Sequence, residues 1–176
     1  MKVGATVAII KENKVLMTLR SDWEIWCLPG GHVDEGESVA EAAIREAREE
    51  VGVDVALTRY VGVYSRIGGD ATMHLHLFTA EIVGGSLAPQ PDEVLDIQFF
   101  DPSNLPELMF WWHRYQVDDA LNGRSGVAWQ FEVVPAVEVA NRQALYDLQA
   151  SMDLSPSEFY KYYFESNGTH RVKKFL

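Results

Sequence analysis

The hydrophobic pattern of the chain changes period several times, and each change predicts an element. An apolar stretch from Val3 to Ile10, interrupted by Thr6, is followed by the polar Lys11 to Lys14 and a second apolar stretch, Val15 to Leu19, which together read as a hairpin. Trp26, Cys27 and Leu28 form a short extended piece before the Pro29-Gly30-Gly31 loop. From Ser38 to Val51 the spacing is helical, with Gly52 as the stop. Within it Ala40, Ile44, Ala47 and Val51 make an apolar stripe that predicts the face lying on a sheet.

Further strands are expected over Ala56 to Ser65, Thr72 to Val83 and Glu93 to Phe100, separated by Gly68-Gly69, Gly84-Gly85 and Pro89/Pro91. Asn104 and Glu107 have capping-box spacing and predict a helix running to Leu121 and closed by Gly123. Its aromatic residues, Phe110, Trp111, Trp112 and Tyr115, suit packing on the sheet. The tail continues with an apolar stretch from Val127 to Pro135, a helix over Val137 to Ala150, another opening at Ser155-Pro156, and a basic end, His170 to Lys174. The expected fold is α/β, a mixed sheet covered by helices.

Composition narrows the function. With 176 residues and 47% apolar content the chain suits one globular unit, and its longest apolar stretch is far below the roughly 20 residues of a membrane helix. The stretch runs straight into Lys11 without a small-residue cleavage site, which argues against a secretory signal. One cysteine, Cys27, cannot close an intrachain disulfide and suits a reducing compartment, so the cytoplasm is expected. The formal charge of −11 repels phosphate backbones and anionic lipids, which makes nucleic-acid polymers and membranes poor partners.

The acidic excess is concentrated. Between Asp34 and Asp54 eight carboxylates face two arginines, Arg45 and Arg48, a local charge of −6. On a helix Glu46, Glu49 and Glu50 stand at i, i+3 and i+4 and share a face. Crowded carboxylates call for a cation, and oxygen ligands favour Mg²⁺ or Mn²⁺. Arg45 lies four residues before Glu49 and eight after Glu37, placed to pair with either.

The segment Gly31 to Val53 reads G-x5-E-x7-R-E-U-x-E-E-x-G-U, where U is apolar, with Gly31, Glu37, Arg45, Glu46, Glu49, Glu50 and Gly52 at the fixed positions. Seven fixed residues at about 6% usage each would match a chain of this length by chance less than about once in a million. This is the Nudix box, and the chain resembles the Nudix (MutT-like) hydrolases. Ala47 is a small choice at an aliphatic position, and His32 sits at a variable one.

The resemblance implies the Nudix fold, an α/β/α sandwich around a mixed sheet over residues 1–125. Residues 126–176 are then a C-terminal extension packing on the domain or on a homodimer partner. It also implies metal-dependent hydrolysis of a nucleoside diphosphate linked to another moiety. By the same resemblance Glu46, Glu49, Glu50 and the Gly31 carbonyl would be metal ligands, Glu46 a ligand or the base, and Glu37 and Arg45 orienting partners. In some members the base lies on a later loop, where Asp92 and Glu93 are the candidates here. Arg20, at the end of the second strand, suits either a phosphate clamp or an ion pair at the surface. His74 and His76 share one sheet face and suit a substrate-facing or packed polar pair, and Trp23 and Trp26 flank the loop as stacking or packing residues.

Two other classes share the fold. A nucleotide-binding regulatory module would have lost box acids, whereas all are present, and an isomerase would require Cys27 chemistry near the substrate. Downstream markers of family subgroups are absent: Gly68 and Gly69 stand where a proline would suggest ADP-ribose cleavage, Asp70 where a tyrosine would suggest dinucleoside polyphosphates, and the Ser-Gln-Pro-Trp-Pro array of NADH-cleaving members is missing.

Overall fold

The computed structural model describes residues 2–166 and 170–176. Among these residues nine strands form one mixed sheet flanked by four α-helices. β1 (Lys2–Lys11) is central, parallel to β6 (Met73–Gly85) on one side and flanked on the other by β2 (Lys14–Arg20) and β4 (Gly30–His32). β3 (Trp26–Cys27) and β7 (Val94–Phe100) pair with β2, β5 (Val53–Gly68) pairs with β6, and β8 (Val127–Val133) and β9 (Arg171–Lys174) extend the sheet beyond β5. The expected α/β sandwich around a mixed sheet is the fold found.

Why β1 reads as a run rather than an alternation is clear from its surroundings. Ala5, Val7 and Ile9 pack under α1 (Val39–Val51), while Ala8 faces the opposite core, so both faces are buried. β6 divides in the same way, Phe78 and Ala80 toward α1 and Leu75 and Leu77 toward the other layer. β5 begins on the α1 side with Val53 and Val55 and ends on the other with Val61 and Tyr64. Two irregularities in its pairing with β6, at Leu57/Arg59 and Tyr60/Gly62, allow the change of face.

The helix α1 begins at a capping box in which Ser38 and Glu41 satisfy each other's backbone N–H groups. It ends at Gly52, whose φ of 76° is the left-handed cap that glycine adopts without strain. Its buried face departs from the expected stripe. Ala42, Ala43, Ala47, Glu50 and Val51 are buried whereas Ile44 is 40% exposed, because α1 is rotated to bring Glu50 against the sheet edge.

The opposite layer holds α2 (Trp111–Leu121), α3 (Arg142–Ser151) and α4 (Pro156–Tyr160), the last continuing into one π-helical turn, Lys161–Glu165. The expected capping box at Asn104 and Glu107 does not form. Asp101 instead caps a 3₁₀ turn at Pro102–Asn104, and α2 starts only at Trp111. α3 likewise starts later than Val137, at the side-chain cap Asn141. Trp23, Trp112, Phe131, Phe159, Tyr163 and Phe164 form the aromatic core of this layer. No helix among the described residues is long and apolar enough to cross a membrane.

Candidate active site

The box acids gather where α1 meets β4. Glu50 is buried and accepts the Gly30 N–H at 2.9 Å. Glu46 lies against Gly31, and a Cβ at Gly31 would run into its carboxylate and push it aside, so the glycine leaves room for Glu46 where it stands. Arg45 binds the acids together: Nε is 2.9 Å from Glu37, Nη1 is 2.8 Å from Glu46 and 2.9 Å from Glu49, and Nη2 donates to the His32 carbonyl at 2.9 Å. Glu37 also accepts the Asp34 N–H, so it fixes the loop and Arg45 at once. Glu49 is the outermost acid, its side chain 51% exposed.

Charge in this cluster is under-compensated. Burial pushes the Glu50 carboxyl up to about 7, with Glu46 and Glu93 adding repulsion against the relief given by Gly30 and Arg20. Burial also raises Glu46, and there the Arg45 contact works against the repulsion of Glu49 and Glu93. Glu37, held by Arg45, is lowered instead. The charge of Glu93, in the turn before β7, is thus felt at both acids. That turn is tied down by Ser21, whose hydroxyl donates to the Asp92 carbonyl at 2.6 Å and whose N–H donates to the Glu93 carbonyl at 2.9 Å.

Among the described residues no three His, Cys, Asp or Glu side chains stand close enough together to hold a metal ion as they lie, and Arg45 stands among the acids. The chemistry of the donor set nevertheless fits a hard divalent ion: carboxylates only, two of them raised by burial and mutual repulsion, beside a glycine carbonyl with no side chain in the way.

Across β4 from the acids opens a cavity of about 340 Å³, on the sheet face opposite α1. Arg20, Gly30, Gly31 and His32 line its near side and Leu75, Phe110, Trp112 and Phe164 its apolar walls. Arg20 is gripped by Asp22 through two hydrogen bonds of 2.8 Å. His113 is buried in the wall, and its Nδ1 accepts the Leu28 N–H at 3.0 Å, which leaves the ring proton on Nε2; burial pushes its pKa down to about 3. Cys27 also borders the cavity, but burial pushes its thiol up to about 12 and it contacts the Thr18 hydroxyl, so it is no thiolate nucleophile.

Several candidates fall elsewhere. Trp26 turns its edge to Phe100 and is not part of the cavity wall. Trp23 is fully buried, stacked between Tyr146 and Phe159. His76 and His74 lie on the α1 side of the sheet, hydrogen-bonded with Tyr60 and Ser65 at 2.9 and 2.8 Å, and so face away from the cavity. Asp22, Arg66, Asp70, His113, Arg142 and Tyr146 line or frame the cavity without any motif to announce them; their partners lie up to 127 positions away.

The acids of the glycine-capped α1 and an arginine-lined cavity thus lie on either side of the glycine strand β4. Residues 1–121 match the NUDIX domain, and the chain belongs to the Nudix family. It is 38% identical over 125 residues to a chain of Bacillus subtilis (strain 168) named provisionally as an 8-oxo-dGTP diphosphatase, covering 70% of this chain and 83% of that one. It is 35% identical over 123 residues to the ADP-ribose pyrophosphatase of Methanocaldococcus jannaschii, covering 67% and 72%. Among solved structures it is similar to an ADP-ribose pyrophosphatase of Streptococcus suis, with 26% identity, a TM-score of 0.60, and 69% and 90% of the two chains covered.

Proposed function

We propose that this Nudix hydrolase cleaves a diphosphate linkage in a nucleoside diphosphate derivative, with Mg²⁺ or Mn²⁺ held by Glu46, Glu49, Glu50 and the Gly31 carbonyl. The observation that carries this reading is the pair of under-compensated carboxylates, the half-buried Glu46 and the buried Glu50, placed one strand away from the cavity. A bound divalent ion supplies charge neutralisation at the phosphoryl oxygens and lowers the pKa of water.

The chain's own residues do the rest. Arg45 keeps Glu37, Glu46 and the His32 carbonyl in register. Arg20, near Glu50 and lining the cavity, orients a phosphate. Glu93, whose charge is felt at both Glu46 and Glu50, takes the proton from the attacking water, with Glu46 as the other candidate base. Residues 1–125 are the catalytic unit in this reading and 126–176 the extension that walls the cavity. The lone free thiol of Cys27 and the charge of −11 support a cytoplasmic enzyme acting on small molecules rather than polymers.

The names of the relatives give two substrate classes to try first, oxidised nucleoside triphosphates and ADP-ribose. A screen of nucleoside triphosphates, ADP-ribose, nucleotide sugars and dinucleotides for released phosphate, diphosphate or monophosphate, with Mg²⁺ and with EDTA, tests the reading. Hydrolysis of at least one class is expected with Mg²⁺ and none with EDTA. Full turnover in EDTA, or none on any class, would overturn it.

A further inference from the structure

Three arginines and two aspartates alternate along one side of the cavity. Arg20 pairs with Asp22, Asp22 with Arg142 at 3.3 Å, Arg142 with Asp70 at 3.1 Å, and Asp70 with Arg66 at 3.2 Å. With Lys2, which also lines the cavity, four positive and two negative charges leave two positive charges in a recess walled by Leu75, Phe110, Trp112 and Phe164. Arg66 is 6% exposed and lies 5.4 Å over the Trp112 ring, and burial together with the nearby Arg142 holds its pKa below the usual value despite Asp70. A guanidinium carries five donors, and Arg66 approaches Asp70 through its Nη1. Arg142 is held in place from three directions, by its ion pairs, by the Tyr146 hydroxyl at 3.1 Å and by the Trp23 ring at 5.2 Å. It stands on α3, outside residues 1–121 that match the family.

We propose that Arg142 and Arg66, with Arg20, form an oxyanion site that holds a phosphate of the substrate other than the one engaged at the box acids, so that the C-terminal segment supplies a specificity-determining residue. This rests on the hydrolase reading above. An oxyanion is the ligand whose charge offsets the excess, and it can accept the N–H groups that remain on Nη1 of Arg20 and on the two Nη atoms of Arg142 beyond those their partners take. If the ions only fastened α3 to the domain, a balanced chain would serve, without a third arginine buried against the cavity.

The test separates binding from turnover. Binding of inorganic phosphate in EDTA, followed by calorimetry or by the rise in melting temperature, requires no hydrolysis. Arg142→Gln is expected to weaken it about tenfold or more, the scale of one charge-assisted contact, and Arg142→Lys by less, while Arg48→Ala, far from the cavity, leaves it unchanged. On the substrate found by the screen, Arg142→Gln is expected to raise KM with kcat within about twofold. Folded Arg142→Gln with wild-type phosphate affinity and KM would overturn the proposal while leaving the hydrolase reading intact. Phosphate binding lost in the variant, with no substrate ever hydrolysed, would uphold the site and sink that reading. Should Arg142→Gln fail to fold, the wild type decides: no phosphate-dependent stabilisation in EDTA overturns the site.

Discussion

Replacing Ala47 by Phe asks whether the packing of α1 is what aims its acids. Ala47 is fully buried among Ala5, Val7, Ala43 and Phe78, next to Glu46 and three residues before Glu50. A ring has no space there, and overpacking of this kind costs about 1 to 3 kcal/mol. For a domain of this size each kcal/mol moves the melting temperature by about 2 to 4 °C, which gives a fall of about 2 to 12 °C. The helix can accept the ring only by lifting off the sheet, and a displacement of about 1 Å at a catalytic group costs about 100-fold in rate. Arg48→Ala is the matched control. Its ion pair with Asp54 spans 3.6 Å between side chains 75% and 48% exposed, a contact worth less than about 0.5 kcal/mol. Melting curves by circular dichroism and turnover per folded molecule measure both effects. Equal melting temperature and equal turnover in the two variants would refute the orientation assigned to α1 and, with it, the acidic face.

Glu50→Gln keeps an acceptor for the Gly30 N–H but removes a charge that burial disfavours, so turnover should fall about 100-fold or more while the melting temperature in EDTA stays level or rises; a lower melting temperature with intact turnover would make the acid structural. Glu93→Gln should lower kcat about 100-fold with KM within about twofold, and unchanged kcat would remove Glu93 as the base. His113 takes a proton near pH 6.5 when unfolded but only near 3 when folded, so its contribution is full above about pH 6.5 and is lost as pH falls, by about 1 to 2 kcal/mol between pH 6.5 and 5. Urea titrations across that window should show a flatter pH dependence in His113→Gln, and an identical slope would refute this.

Local rules were enough for α1, because Ser38, Glu41 and Gly52 are signals read within a few residues of the helix ends. The same rules misplaced α2. Asn104 and Glu107 have the right spacing, but Asp101 captures the nearby N–H groups first and Arg114 takes up the Pro106 and Glu107 carbonyls. Ile44 looked inward because a period of 3.6 cannot tell which flank of a helix meets the sheet, and here the flank carrying Glu50 does. The acids were legible for the opposite reason, since one helix presents them at fixed intervals. The cavity was not: Asp22, Asp70 and Arg142 meet only after β5, β6 and α3 are in place, and an ion pair across 120 positions leaves no spacing to read. The short β4 was hidden as well, because Gly30 and Gly31 lack the side chains by which a strand is recognised.

The distance along the chain between the acids and the last wall of the cavity has a consequence in time. Glu50 and Arg142 are 92 positions apart, so at synthesis rates of about 5 to 20 residues per second the arginine leaves the ribosome about 5 to 18 s after the acid. During that interval the nascent chain can assemble β1, β2 and α1 through contacts close in sequence, while Trp23, Leu75 and later Trp112 wait for Phe159 and Phe164 to cover them. The growing polypeptide thus passes through a stage that carries its negative cluster in place and its aromatic layer bare. Chaperones that bind exposed rings during translation would find this chain accessible until the segment carrying Phe159 and Phe164 docks.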